Sequence, residues 1–221
     1  MTAFNIKVVS DTVCPWCYVG QRQLQAAIKL WQTRHPDSGD TFKVEFFPYQ
    51  LMPDSPRGPG HSKDKLSLYK ERYGAVHTRI FDRLRAVGAP LGINFSFGGR
   101  IGNTRDSHRL IELSKKYGSE VEQKLVSELF AAYFENEKDI TTYEVLGDAA
   151  VAAGIPEADF KRAIVDSDEY GARVDEAVAG ARENGISGVP DFTIQDRFQW
   201  SGARDPEDFV SILDKVKKMN L

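Results

Sequence analysis

Two cysteines separated by two residues are the feature of this sequence best suited to chemistry. Cys14 and Cys17 are the only cysteines among 221 residues. Thiol–disulfide exchange needs a thiolate that attacks a disulfide and a second thiol close enough to release the mixed disulfide. Two intervening residues on the first turn of a helix bring the sulfurs within reach of each other. The pair therefore predicts a redox-active dithiol–disulfide centre in an oxidoreductase.

The position of the pair predicts a different role for each thiol. Alternating apolar residues from 4 to 10 indicate a strand, and helical spacing of apolar residues between 24 and 31 indicates a helix after the pair. The free N–H groups and the dipole at the start of a helix favour a thiolate. We expect Cys14, at that start, to be the exposed nucleophile and Cys17 to be the sheltered resolving thiol. Pro15 suits the first helical position because its ring fixes φ and it lacks an N–H group.

The two residues between the cysteines influence how the substrate is met and the reduction potential of the pair. Trp16 is predicted to be a surface ring that meets the substrate, because this turn must stay accessible. Neither Pro15 nor Trp16 carries a charge, so the motif predicts no cation beside the Cys14 thiolate. We expect a reduction potential between those of DsbA and thioredoxin, about −120 and −270 mV.

Two other interpretations of the cysteine pair are structural. A closed zinc site needs four ligands, and the sequence has neither a second cysteine pair nor closely spaced histidines. A disulfide that closes so short a loop removes little entropy from the unfolded chain, so a stabilising crosslink is also a poor explanation. We expect no metal site.

The chain divides into two strand-bearing ends and a helical middle. A second predicted strand at 43–47 completes a strand–helix–strand unit with parallel strands. Strands at 191–195 and 198–201, followed by a helix that opens at Asp205-Pro206, stand near the C-terminus. A capping box from Thr141 to Glu144 and several helix-ending glycines mark the middle. These patterns predict an α/β protein, βαβ…ββα, in which residues 1–51 and 187–221 form a four-stranded mixed sheet with two flanking helices. Residues 52–186 are predicted to be a large all-helical insertion that walls one side of the active site.

Several segments resemble one family. Cys14 to Gly20 resembles the redox motif of DsbA-like oxidoreductases of the FrnE type. Further matches are spread over almost the whole chain: Asn103 to Leu110, Leu129 to Phe134, Gly188 to Pro190, and Ser201 to Ala203. The resemblance implies a thioredoxin-like fold with a helical insertion. It also implies a cis proline, Pro190, that faces the cysteines; from the sequence alone, an ordinary loop proline remains open.

The substrate-binding candidates follow from the motif and the resemblance. They are Pro15, Trp16, Val189, Pro190, Asn103 and His108. A cis bond at Pro190 would expose the backbone groups of Val189 to an extended substrate. His108 either orients the substrate or is a helix histidine satisfied by backbone groups, and the sequence leaves both open. Asp191 departs from the family pattern, which usually has an uncharged residue after the proline.

Composition limits the partners and the compartment. The net charge of −3 gives no reason to expect nucleic acid or an anionic membrane as a partner. The first residues lack the pattern of a secretory signal, and two cysteines are too few for a disulfide scaffold, so we expect a cytoplasmic location. The expected substrates are protein or small-molecule disulfides. We expect no bound cofactor, with glutathione as a candidate co-substrate; the oligomeric state is not predicted.

Two further functions stay open. Kappa-class glutathione transferases and 2-hydroxychromene-2-carboxylate isomerases share the architecture that the resemblance implies, but typically place serine where Cys14 stands. A glutathione-dependent transferase or isomerase is therefore the alternative function. A redox-inert module that holds peptides is the third, and the intact cysteine pair argues against it.

Overall fold

The computed structural model describes residues 1–219. Its strands are β1 (Ala3–Ser10), β2 (Thr41–Pro48), β3 (Lys63–Asp64), β4 (Arg100–Ile101), β5 (Asp191–Ile194) and β6 (Phe198–Ser201). Its α-helices are α1 (Pro15–Arg34), α2 (Lys65–Tyr73), α3 (His77–Gly88), α4 (Arg105–Ser114), α5 (Ser119–Phe134), α6 (Tyr143–Ala153), α7 (Glu157–Phe160), α8 (Gly171–Glu183) and α9 (Pro206–Lys218).

The predicted four-stranded mixed sheet is confirmed. Its strand order is β2-β1-β5-β6, with β1 parallel to β2 and antiparallel to β5. The alternation in β1 buries Phe4, Ile6 and Val8 on one face. The third strand is one residue shorter than predicted, because Gln195 is left-handed with φ 54 and already belongs to the turn.

Aromatic contacts fix two helices on that face of the sheet. Phe4 of β1 meets Trp31 of α1 edge-on, with ring centroids 5.2 Å apart. Phe192 of β5 meets Phe209 of α9 in the same way at 5.0 Å. Because α1 follows β1 after a short turn and packs back on the sheet, its first residues are held at the end of the central strand.

The region from 52 to 186 contains α2 to α8 but is not entirely helical. The strands β3 and β4 pair antiparallel, Lys63 with Ile101, and residues Lys161–Val165 form a π-helical turn. The all-helical prediction is wrong in this detail, since a ladder of two residues is too short to produce an alternating pattern. The boundaries at 52 and 186 stay predictions, and residues 220–221 of the predicted 187–221 segment lie outside the described residues.

Helix α5 joins the insertion to the edge of the sheet. The Ser119 hydroxyl donates to the carbonyl of Val44 at 2.8 Å and accepts from its N–H at 3.2 Å. The Glu122 carboxylate accepts from the N–H of Phe46 at 2.6 Å. Since β2 is an edge strand, these side chains satisfy backbone groups that would otherwise be open.

The helix predicted from the capping box is present as α6. The hydroxyl of Thr142, one residue later than predicted, accepts from the N–H of Val145 at 3.4 Å. Gly154, with φ 100, ends the helix. Within residues 1–219, no helix has the length and apolar content that crossing a bilayer requires.

Candidate active site

The cysteine pair lies at the junction between β1 and α1. The N–H of Cys14 donates to the carbonyl of Asp11 at 3.0 Å, and the N–H of Cys17 donates to the carbonyl of Cys14 at 3.1 Å. Cys14 is the N-cap residue, with extended backbone, and Pro15 takes the first helical position. Both thiols are free. The pair therefore has the predicted placement, with Cys14 at the helix start and Cys17 inside the first turn.

Cys17 is sealed from solvent. Its exposed fraction is 2%. Burial raises the pKa of the Cys17 thiol well above its ordinary value, and a hydrogen bond with Cys14 adds to the rise. Backbone and hydroxyl groups of Asp11 and Ser10 act in the opposite direction. A thiol in this environment keeps its proton at neutral pH, which suits a group that acts only after Cys14 has reacted.

Cys14 is not exposed to bulk solvent, and the prediction of an exposed thiol is wrong. Its exposed fraction is 4%, because α2, α3 and the segment after β2 close over the start of α1. The sulfur instead lines a cavity of about 280 Å³, where it donates to the carbonyl of Val189 at 3.5 Å. Access to the thiol is through this cavity.

The cavity walls are mainly apolar. The thioredoxin-like part contributes the cysteine turn and the loop before β5, and the insertion contributes α2, α3 and β4. The lining residues are Val13, Cys14, Pro15, Trp16, Leu51, Met52, Leu68, Tyr69, Arg72, Tyr73, Ile80, Leu84, Ile101, Gly188 and Val189. A thiol in such a site meets its partner largely shielded from water.

Three of the predicted substrate-binding residues, Pro15, Trp16 and Val189, line this cavity. Trp16 is half-buried, and the guanidinium carbon of Arg83 lies 5.1 Å from its ring centroid. Arg72 also lines the cavity. The insertion therefore brings cations of α2 and α3 to the surroundings of the cysteine motif, and the absence of a cation directly beside Cys14 stays a prediction.

Pro190 lies behind the lining. The peptide bond between Val189 and Pro190 is cis, and the carbonyl of Pro190 accepts from the N–H of Gly202 at 2.7 Å. A Cβ placed on Gly20 would lie 3.1 Å from Pro190 Cγ. The proline ring thus packs against α1 one turn beyond Cys17.

Asn103 and His108 do not reach the cavity. The amide of Asn103 donates to the carbonyl of Ser55 at 2.7 Å, and its oxygen accepts from the Gln50 side chain at 3.0 Å. His108 Nε2 lies 2.9 Å from the carbonyl of Tyr49 and 3.3 Å from Asp11 Oδ1. Both side chains use their hydrogen bonds to hold the segment after β2. The geometry therefore does not support direct substrate binding by Asn103 or His108. They position the segment that carries Leu51 and Met52.

Asp191, the departure from the family pattern, faces the neighbouring strand. Its two carboxylate oxygens accept from Gln199 Nε2 at 2.9 Å and from Ser201 Oγ at 2.5 Å. The side chain is buried and does not line the cavity. Its partners on β6 account for a charge at this position.

Sequence reasoning missed the cavity residues on α2, above all Tyr69 and Arg72. A signal was available. Asp64 caps this helix by accepting from the N–H of Ser67 at 2.7 Å, and Gly74, with φ 53, follows its last residue. An Asp before a short periodic segment and a Gly after it are typical of helix ends.

No cluster of three or more potential metal ligands occurs in the described part of the chain. The chemistry available at the site is that of two thiols, a helix start and a largely apolar cavity. A family model for the DSBA-like thioredoxin domain matches residues 5–214. The chain belongs to this family.

Two family relatives match along nearly their full length. The uncharacterized protein YwbO of Bacillus subtilis (strain 168) is 28% identical over 215 residues, which cover 97% of this chain and 98% of that protein. The crystal structure of the probable DsbA oxidoreductase SCO1869 from Streptomyces coelicolor superposes with a TM-score of 0.83 at 26% identity. That match covers 97% of this chain and 90% of the other.

A more distant structure shows how widely this DSBA-like fold is shared. The cytosolic disulfide reductase DsbM from Pseudomonas aeruginosa, solved with GSH, has a TM-score of 0.62 at 14% identity. The match covers 98% of this chain and 100% of DsbM. At this identity the likeness concerns the fold alone. The predicted thioredoxin-like fold and DsbA-type relationship are confirmed.

Proposed function

We propose that this protein is a thiol–disulfide oxidoreductase that works through Cys14 and Cys17. The observation that carries the proposal is the unequal setting of two free thiols on one helical turn. Cys14 lines the cavity, whereas burial raises the pKa of Cys17. One thiol can meet a disulfide, and the other is kept protonated within reach of the first.

The steps follow from this arrangement. The Cys14 thiolate attacks a substrate disulfide, whose S–S bond breaks as the mixed disulfide forms and one substrate thiolate leaves. Cys17 loses its proton and attacks Cys14, which releases the second substrate thiol and leaves the Cys14–Cys17 disulfide. The carbonyl of Val189 accepts from the Cys14 thiol at 3.5 Å and so positions the sulfur before it loses its proton. Two molecules of a low-molecular-weight thiol return the pair to the dithiol state and leave as their own disulfide.

The proposed direction in the cell is reduction or isomerisation. At a cytosolic glutathione poise of about −220 to −320 mV, a pair with the potential expected from the sequence rests largely reduced. A cytoplasmic location and glutathione as co-substrate are part of this proposal. DsbM, described as a cytosolic disulfide reductase and solved with GSH, is a precedent on the same fold.

Serine variants of the two cysteines test the proposal. With a dithiol reductant and a model disulfide, Cys14→Ser should reduce exchange to the uncatalysed rate, since it removes the nucleophile. Cys17→Ser should accumulate a mixed disulfide on Cys14, visible by intact mass. Exchange that persists in Cys14→Ser, or alkylation of Cys17 before Cys14, would contradict the assignment. If no Cys14–Cys17 disulfide forms under oxidant, the glutathione-dependent transferase or isomerase becomes the better explanation.

A further inference from the structure

The lining of the active-site cavity, as formed by residues 1–219, carries positive charge and no negative charge. Among the described residues that line it, Arg72 is the one that carries a full charge, and no carboxylate faces it. Tyr69 and Arg72 are three residues apart on α2 and therefore lie on the same face of that helix. Both belong to the lining that also contains Cys14.

Neither polar group is paired within residues 1–219. The guanidinium carbon of Arg72 lies 5.5 Å from the ring centroid of Tyr73, without a hydrogen bond or an ion pair to a described side chain. The Tyr69 ring contacts Tyr73 and Phe81 at centroid distances of 5.6 and 5.3 Å, and its hydroxyl has no hydrogen-bond partner among these residues. Both groups remain available to a ligand.

The two buried arginines of the insertion, Arg105 and Arg109, are fully engaged. Arg105 donates to Asp168 at 2.8 Å and to Asp175 at 2.8 Å. Arg109 donates to Asp106 at 2.8 Å and to backbone carbonyls. Arg72 differs from these structural arginines in that it is exposed, has no carboxylate partner among the described residues and lines an apolar cavity.

We propose that the cavity binds a low-molecular-weight disulfide with an apolar body next to the sulfur and a carboxylate that Tyr69 and Arg72 hold. This inference rests on the proposed function and names its substrate class. The aliphatic and aromatic walls bury the body of the molecule. The guanidinium and the phenol hydroxyl both donate to the carboxylate, at the end of the cavity that α2 forms.

The size and polarity of the cavity favour such a molecule over glutathione disulfide. A volume of about 280 Å³ is slightly below the range of about 300–1,000 Å³ that is typical of ligand pockets. Each half of glutathione disulfide carries two carboxylates, an ammonium and two peptide groups. Burying those groups against apolar walls costs free energy unless each finds a partner. Apart from the Cys14 thiol, the polar side chains of the lining are few: Trp16, Tyr69, Arg72 and Tyr73.

The redox balance is that of a simple exchange. Reduced enzyme and one substrate disulfide give the Cys14–Cys17 disulfide and two substrate thiols, so two electrons pass from the enzyme to the substrate. The protons of the enzyme thiols go to the leaving thiolates or to buffer. A dithiol such as dithiothreitol regenerates the enzyme and is not needed within a single turnover.

Single-turnover kinetics test the ligand class. Reduced enzyme is mixed with dithiobis-nitrobenzoate, an aromatic disulfide with a carboxylate on each ring, or with uncharged dithiodipyridine, and each rate constant is divided by that of free dithiothreitol. Arg72→Gln should lower the ratio of the carboxylated to the uncharged probe by about tenfold, the effect of one charge-assisted contact. Tyr69→Phe, which keeps the ring, should lower the same ratio by about threefold.

The control is Arg197→Gln, which removes the same charge from the exposed turn between β5 and β6, at the opposite end of β5 from the cysteines. It should leave the ratio unchanged. An equal loss in Arg197→Gln, an unchanged ratio in Arg72→Gln, or faster normalised exchange with glutathione disulfide than with dithiobis-nitrobenzoate would overturn the proposed substrate class. Exchange lost in Cys14→Ser with both probes would still support the oxidoreductase, so the two proposals fail separately.

Discussion

The thioredoxin-like part and the insertion contribute different things to the same cavity. The first supplies the reacting atoms and the backbone beside them, with Cys14 at a helix start and the carbonyl of Val189 3.5 Å from its sulfur. The second supplies the far wall, with Tyr69, Arg72 and Leu84 among its residues. The comparison indicates that the sheet part determines which reaction is possible, and the insertion determines which molecules reach it.

Each of the two parts combines aromatic packing with a buried ion pair. Edge-on aromatic pairs such as Phe4 with Trp31 form the contact of the sheet with its helices. In the insertion, Arg105 has an 8% exposed side chain and pairs with Asp168 and Asp175. An arginine with so little exposure depends on its partners, since removing them would leave a buried charge unpaired. The thioredoxin-like part has a comparable pair, in which Lys217 donates to the buried carboxylate of Asp40 at 2.6 Å. Electrostatic perturbations should therefore affect both parts and, at Glu122, their junction.

Glu122, at the junction of the two parts, gives the largest expected effect. Burial raises the pKa of this carboxyl from 4.5 to about 7, and Glu45 and Glu112 add to the rise, while the Phe46 N–H and Lys115 oppose it. A carboxyl with a raised folded pKa binds a proton that the unfolded chain releases. Its contribution to stability is therefore fully present below pH 4.5 and is lost as the pH rises through about 7.

We expect Glu122→Gln to remove this pH dependence. Relative to the variant, the wild-type free energy of unfolding should fall by up to about 3 kcal/mol between pH 4.5 and pH 8. Urea unfolding at a series of pH values measures it. Glu120→Gln, an exposed residue on the same helix, is the matched control and should follow the wild type. Parallel curves for wild type and Glu122→Gln would show that the junction is not coupled to this proton.

The same glycine-to-alanine change should have opposite effects in the two parts. A Cβ on Gly20 would lie 3.0 Å from Phe192 Cζ and 3.1 Å from Pro190 Cγ, whereas one on Gly180 of α8 meets nothing within 4 Å. Gly20→Ala should lose about 1 kcal/mol, since crowding against the proline outweighs the better helix propensity. Gly180→Ala should gain about 0.5–1 kcal/mol.

Chemical unfolding measures both stabilities, and disulfide exchange provides a second observable. Gly20→Ala should also slow exchange, because a shift of α1 away from Pro190 moves Cys14 relative to Val189. Gly180→Ala should exchange at the wild-type rate. A stabilised Gly20→Ala with full activity would mean that the contact between α1 and the proline is looser than these distances imply.

The sheet could be predicted from sequence because its signals are local. Neighbouring residues alone show the alternation of Phe4, Ile6 and Val8 and the two-residue spacing of the cysteines. The turn at Gln195 was misplaced by one residue because a left-handed conformation at a residue other than glycine or asparagine has no strong sequence signal. The strand pair at 63–64 and 100–101 joins residues far apart in sequence, and neither strand is long enough to show a period.

The site was predicted where it belongs to one segment and missed where segments meet. Cys14, Pro15, Trp16 and Val189 line the cavity as expected. The burial of Cys14 depends on α2 and α3 folding back over α1, which no local pattern encodes. His108 belongs to a family-like segment, but its partner, the carbonyl of Tyr49, is fixed by tertiary structure. The family resemblance identified His108 as a residue of interest but did not show that it positions the segment after β2.

Arg83 gives the smallest expected effect and sharpens the comparison most, since we expect this insertion residue to influence the potential of the cysteine pair. Its guanidinium carbon lies 5.1 Å from the ring centroid of Trp16, between the cysteines. A cation near the helix start stabilises the reduced form when Cys14 is a thiolate. Arg83→Gln should therefore make the potential more negative, by about 10–20 mV for an exposed, screened charge. Equilibrium titration against glutathione measures the shift, which added salt should diminish.

Arg85→Gln is the control on the same helix. Arg85 packs over Phe97 at 4.9 Å instead, so this substitution should leave the potential unchanged. If both variants or neither shift the potential, the insertion does not tune the cysteine pair, and its influence is confined to which substrate the cavity admits.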